Sequence, residues 1–126
     1  MMIRLFLSLA LALYALAPPP AWSQQDPAAL QNIRSKIQSQ GSARVIVGLR
    51  LPVGAHVPEG FLGATAVAIQ RQDIASVGAQ VVARVQGTGA RVFHRYDGLP
   101  FIAMEVSAAG LAQLQASNLY VTSISE

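Results

Sequence analysis

The sequence predicts a two-layer α+β domain whose elements follow one another as strand, helix, strand, strand, helix, strand. Three observations carry that expectation. Arg44–Leu51 (RVIVGLRL) and Phe101–Val106 (FIAMEV) alternate with the two-residue period of half-buried strands. Between them, Val67, Ile74, Val77, Val81 and Val85 recur at the spacing of one helix face. The chain has 126 residues, 52% of them hydrophobic and 12% charged, which is apolar enough for a packed core and long enough for one domain.

Residues 1–23 read as an export signal rather than as structure. Arg4 gives a positive start, and Leu5–Ala17 (LFLSLALALYALA) carries no charge but is shorter than the roughly 20 apolar residues a membrane-spanning helix needs. Pro18–Pro20 breaks any helix, and Ala21-Trp22-Ser23 places small residues where a signal peptidase requires them, so cleavage is expected after Ser23. The mature chain is then secreted or periplasmic, with no membrane attachment after cleavage.

Residues 24–43 form a helical lead-in. Asp26 is a suitable N-cap, Pro27 suits the first helical position, and Leu30, Ile33 and Ile37 make a thin apolar stripe that Gly41 ends. The domain proper is 44–126. Its first strand, Arg44–Leu51, puts Val45, Val47, Leu49 and Leu51 on one face, and a Pro- and Gly-rich loop follows over Pro52–Gly63. The long helix is Ala66–Gln86, stopped by Gly87 and Gly89. Arg91–Tyr96 is the second strand, and Asp97-Gly98 opens the turn to the third, although Leu99-Pro100 lengthens it. Ser107 caps the second helix, where Val106 and Leu111 have the spacing of a hydrophobic staple. Leu111 and Leu114 face the core, Ser117-Asn118 ends this helix, and Tyr120–Ser125 is the last strand. That order is the ferredoxin-like β-α-β-β-α-β pattern: a four-stranded antiparallel sheet with two helices on one face.

Little in the residue census supports catalysis. With no cysteine there is no disulfide scaffold, zinc ribbon or thiol nucleophile. His56 and His94 have neither a second histidine nor a carboxylate at metal-ligand spacing, so no metal and no cofactor are expected. No serine sits on a Gly-x-Ser-x-Gly elbow, and Gly87-Thr88-Gly89 follows a helix where a phosphate loop would precede one. The net charge of +3 comes from basic residues scattered between Arg4 and Arg95 without a run. Phe93 and Phe101 on adjacent strands suggest a stacking platform, but the aromatic–basic pattern of such sheets is missing, and no nucleic-acid partner is expected. The chain reads as a binding protein, not an enzyme.

The informative feature is the sheet face away from the helices. If Val106 continues into the staple, Ile102 and Met104 share its core face and Phe101, Ala103 and Glu105 point outward. Phe93 joins them if Val92 and Tyr96 face inward, and Ile46 adds to the same side. An apolar patch rimmed by Arg44, Arg50, Arg95 and Glu105 is a contact surface on this reading. The alternatives are that the N-terminal helix folds over the patch, or that the chain self-associates through it.

Taken in order, Arg44–Leu51 (RVIVGLRL), Gln70-Arg71 within the long helix, Tyr96–Val106 (YDGLPFIAMEV), the leucines of Leu111–Leu114 and the Val121–Glu126 ending (VTSISE) resemble the N-terminal prodomain of secreted subtilisin-like (peptidase S8) serine proteases, the inhibitor I9 fold. The resemblance covers Ala43–Glu126 and rests on the ordered set, not on one motif. It implies a folding chaperone and inhibitor of a cognate protease, whose catalytic domain is the expected partner. In that family the open sheet face packs on two surface helices of the protease, and acidic residues cap the N-termini of those helices. Matched position by position, Phe93, Phe101 and Ala103 fall on the packing face, and Glu105 and Glu126 are the candidate caps. The catalytic Asp, His and Ser motifs of the family are not in this sequence, and neither is the tail that in the family follows the last strand into the substrate cleft. A separately encoded prodomain, a fragment of a longer precursor and a degenerate gene are all consistent with those departures. The competing reading is a secreted ferredoxin-like interaction module unrelated to proteolysis.

Overall fold

The computed structural model describes residues 25–126; the signal peptide expected over 1–23 lies outside them. Three helices and four strands follow in the order α1 (Pro27–Gln40), β1 (Ala43–Leu49), α2 (Ala64–Val85), β2 (Arg91–Arg95), β3 (Phe101–Val106), α3 (Ala108–Ala116) and β4 (Val121–Ser125). A 3-10 turn at Glu59–Phe61 interrupts the β1–α2 loop. The strands form one antiparallel sheet in the order β2-β3-β1-β4.

Local chemistry sets the helix ends. The Asp26 carboxylate accepts from the Ala28 N–H at 2.9 Å, Pro27 occupies the first turn, and Gly41 closes α1 at φ 84°, a backbone setting that side chains disfavour. At α3, the Ser107 hydroxyl accepts from the Gly110 N–H at 3.2 Å and donates to the Thr88 carbonyl at 2.7 Å, tying the helix start to the end of α2. Helix α2 starts two residues before the sequence expectation, on a Gly63 that offers no side-chain cap.

One face of the sheet carries the core. Cross-strand register places Ala43 opposite Val106, Val45 opposite Met104 and Val47 opposite Ile102, and Ile124 of β4 sits beside Val47. Ile74, Val77, Val81 and Val85 of α2 and Leu111 and Leu114 of α3 close over them. The lead-in helix does more than its thin stripe suggests. Ile33 is fully buried and Ile37 nearly so, both within this same core, and each buried aliphatic side chain is worth about 1.5–3 kcal/mol. Helix α1 is thus a third member of the helical layer and leaves the opposite face of the sheet free.

The two sheet edges are treated differently. At β4, the Ile124 N–H donates to Gln25 Oε1 at 2.6 Å while Gln25 Nε2 donates back to the Ile124 carbonyl, so one side-chain amide supplies what a neighbouring strand would. At β2 the ladder shifts register between Val92 and His94, leaving Phe93 as the extra residue of a bulge.

Candidate docking face of the sheet

The free face is organised in rows across the strands. Register places Glu105 of β3 between Arg91 of β2 and Arg44 of β1; the next row is His94, Ala103, Ile46 and Ser125; the third is Phe101, Gly48 and Ser123. Phe93 and Phe101 are 41% and 38% exposed, so two aromatic rings stand in solvent beside half-buried Ile46 and Ala103. A shallow groove of about 280 Å³ is lined by Arg44, Ile46, Phe93, Ala103 and Glu126. Four of the five residues expected to bind a partner (Phe93, Phe101, Ala103 and Glu105) share the face, and Glu126 stands at its margin.

The bulge changes the expected route to this arrangement. Strict alternation through β2 would turn Val92 and Tyr96 inward together. Instead Val92 packs on the core, His94 pairs with Ala103, and the His94 and Tyr96 rings meet edge-on at 4.4 Å with Tyr96 exposed. Phe93 still reaches the free face, where the guanidinium groups of Arg44 and Arg91 lie 4.9 and 4.7 Å from its ring centre.

The expected rim is corrected at two positions. Arg95 turns to the helical side, where its guanidinium donates to the Ala75 carbonyl at 2.9 Å across the bare backbone of Gly78. Arg50 donates to the Asn118 carbonyl at 3.1 Å. Arg91 takes their place; its two-residue offset from Phe93 was the signal for it. The carboxylates already have partners. Glu105 accepts from the Ser42 hydroxyl at 2.6 Å and faces Arg91 Nη2 at 3.6 Å, and Glu126 meets Lys36 Nζ at 3.0 Å. Such exposed pairs are generally worth less than about 1 kcal/mol, so a docking surface can exchange them.

Gln70 and Arg71, part of the resemblance, brace the β1–α2 loop. The Val57 N–H donates to Gln70 Oε1 at 3.0 Å and Gln70 Nε2 donates to the Val57 carbonyl at 2.8 Å. Arg71 donates from Nε and Nη2 to the two oxygens of Glu59 at 2.6 and 2.8 Å. That fork holds the Glu59 carboxyl below its usual range and raises the Arg71 pKa. His56 Nε2 lies 2.8 Å from the Gly98 carbonyl and so carries the ring proton there. Asp97-Gly98 lies in the longer connection expected between β2 and β3. Gly98 lies outside the positive-φ region, and a side chain there would collide with Glu59 Oε1 at 2.9 Å. The braced loop holds Phe61 at 85% and Val53 at 83% exposure, a second apolar area the sequence did not announce.

Among the described residues, no three His, Cys, Asp or Glu side chains are grouped to hold a metal ion, and no helix is long and apolar enough to cross a membrane. No family model, curated protein or solved structure matches the chain.

Proposed function

We propose that the chain is a prodomain-type partner of a subtilisin-like serine protease, docking through the free face of its sheet as a folding chaperone and inhibitor. The observation that carries this reading is the uncovered face itself. Three helices lie on the other side, yet among the described residues nothing covers Phe93 and Phe101, which stay exposed beside half-buried Ala103 and Ile46. An apolar patch of this kind on an otherwise well-packed domain is a binding surface waiting for cover. The finer topology supports the same reading. Taken from the opposite edge, the strand order is β4-β1-β3-β2, with β3 inserted between parallel β1 and β2 and β1 between parallel β3 and β4. That order supports a ferredoxin-like reading, in which two split βαβ units interleave.

On this reading Phe93, Phe101 and Ala103 pack on two surface helices of the protease. Glu105 and Glu126 exchange their present partners for the free N–H groups at those helices' N-termini, where the macrodipole favours a carboxylate. The chaperone effect is linkage: a surface that binds only the native-like protease lowers the free energy of that state. Export through the leader places the chain with secreted or periplasmic proteases.

The test is a titration of the chain against a panel of active subtilisin-like proteases, following direct binding and residual peptidase activity together. Saturable binding with loss of activity is the expected result. Binding without inhibition restricts the role to docking and chaperoning. If no protease in the panel binds, the reading fails, and the interaction-module alternative replaces it.

A further inference from the structure

We propose that the free face recognises its partner through a carboxylate seated against the Arg44–Phe93–Arg91 cluster, so that the protease surface it covers is acidic. The inference rests on the reading of that face as a protease-docking surface and goes beyond it, because the resemblance implies recognition by this chain's own carboxylates.

The charges on the face are uneven. In the row Arg91–Glu105–Arg44, two guanidinium groups flank one carboxylate. Oε1 of that carboxylate accepts from the Ser42 hydroxyl, and Oε2 faces Arg91 Nη2 at 3.6 Å. Arg44 makes no ion pair and no side-chain hydrogen bond among the described residues; its contact is the Phe93 ring at 4.9 Å. Three arginines elsewhere in the domain differ from it. Arg50 and Arg95 spend donors on main-chain carbonyls, and Arg71 spends two on Glu59. Arg44 is therefore a cation positioned by stacking with its hydrogen-bonding capacity unspent.

The chemistry of that arrangement selects its ligand. A guanidinium lying near an aromatic ring keeps its planar N–H fork for a bidentate acceptor, and a carboxylate matches that fork in geometry and charge. The groove beside it is shallow and floored by Ile46 and Ala103, which suits the side chains of a packed protein helix. Arg and aromatic residues at the centre of an apolar patch are also the composition of interface hot spots. A phosphate would satisfy the same fork. The face, however, supplies only two arginines, one of them shared with Glu105, which is too few for a backbone-tracking strip.

The experiment uses the full chain and two catalytically inactivated subtilisin-like proteases, one with a strongly acidic surface and one with a basic surface. Affinities are measured at about 50 and 300 mM salt, a range over which screening of exposed charges changes markedly. The acidic protease is expected to bind more tightly and to weaken with salt. Arg44→Gln should lower its affinity about tenfold and flatten the salt dependence, the loss expected from one charge-assisted bidentate contact. Arg34→Gln, an exposed position on α1 on the helical side of the sheet, serves as the charge control and should leave the affinity within about twofold. Both sites are exposed, and unchanged circular dichroism verifies that the variants fold. If the proteases bind but Arg44→Gln has no effect, or the basic protease binds as tightly, the inference is overturned while the docking reading stands. Should neither bind the unmodified chain, the docking reading fails and takes this inference with it. Tighter binding of a single-stranded oligonucleotide probe than of either protease, lost in Arg44→Gln, also overturns it.

Discussion

Strand β3 carries apolar side chains on both faces, and the two sets meet opposite fates. Ile102, Met104 and Val106 are 1%, 0% and 0% exposed, whereas Phe101 one position away is 38% exposed beside half-buried Ala103. The strand itself does not decide which set is covered. The connections do: α2, α3 and the N-terminal helix all stack on the Met104 side, and among the described residues no element covers the Phe101 side. The lesson is that an apolar residue can be set by the needs of the fold on one face and be free of them on the other. The second kind is where a binding function is written.

The harshest way to break this contrast is to damage the covered face. Met104→Ala removes a fully buried side chain contacted from both layers, and should cost about 2–5 kcal/mol, a large share of the stability of a domain this size. Denaturant unfolding followed by circular dichroism measures it as a lower midpoint with an unchanged slope. The corresponding change on the free face, Phe101→Asp, should alter stability by less than about 1.5 kcal/mol and abolish protease binding, because the ring stands in solvent until a partner covers it. The reverse pattern, an unfolded Phe101→Asp beside a tolerant Met104→Ala, would invert the assignment of the two faces.

Much of the covered face was legible in the residues, and less of the free one. The alternation in VIVGL and FIAMEV and the stripe Ile74, Val77, Val81, Val85 follow directly from strand and helix periods, because core burial enforces them. Capping at Asp26 and Ser107 is equally local. What the pattern missed is decided by tertiary partners. Ile33 and Ile37 have the spacing of any short amphipathic helix, and only the gap beside β4 makes them core. The bulge at Phe93 is a matter of register, which sequence alternation assumes to be unbroken. Arg95 leaves the free face because Gly78, seventeen positions earlier, gives its guanidinium room against α2. The small residue at 98, expected to open a lengthened turn, also admits Glu59, which lies far from it in sequence and adjacent in space.

The smallest effect sharpens the contrast by perturbing neither face. Glu59 and Arg71 brace the β1–α2 loop, and the fork lowers the Glu59 carboxyl from its usual value. A carboxyl with a lowered folded-state pKa contributes stability that is complete above the unfolded value, about 4.3 for glutamate, and is lost as the pH falls through the lower folded value. The stabilisation is therefore constant across neutral pH and fades only below about pH 4. Arg71 is exposed and Glu59 only half-buried, so the change should appear as local loosening and not as global unfolding. Hydrogen exchange at the Val57 amide, corrected for intrinsic rate, should show protection falling on acidification in the native chain, because that N–H is held by Gln70 within the braced loop. In Glu59→Gln the protection should be lower at neutral pH and nearly independent of acidification. Binding through Phe93 and Phe101 at neutral pH should be unchanged in that variant. If acidification or Glu59→Gln instead weakened protease binding at the sheet, the braced loop would belong to the docking surface, and its exposed Phe61 would extend the contact beyond the free face.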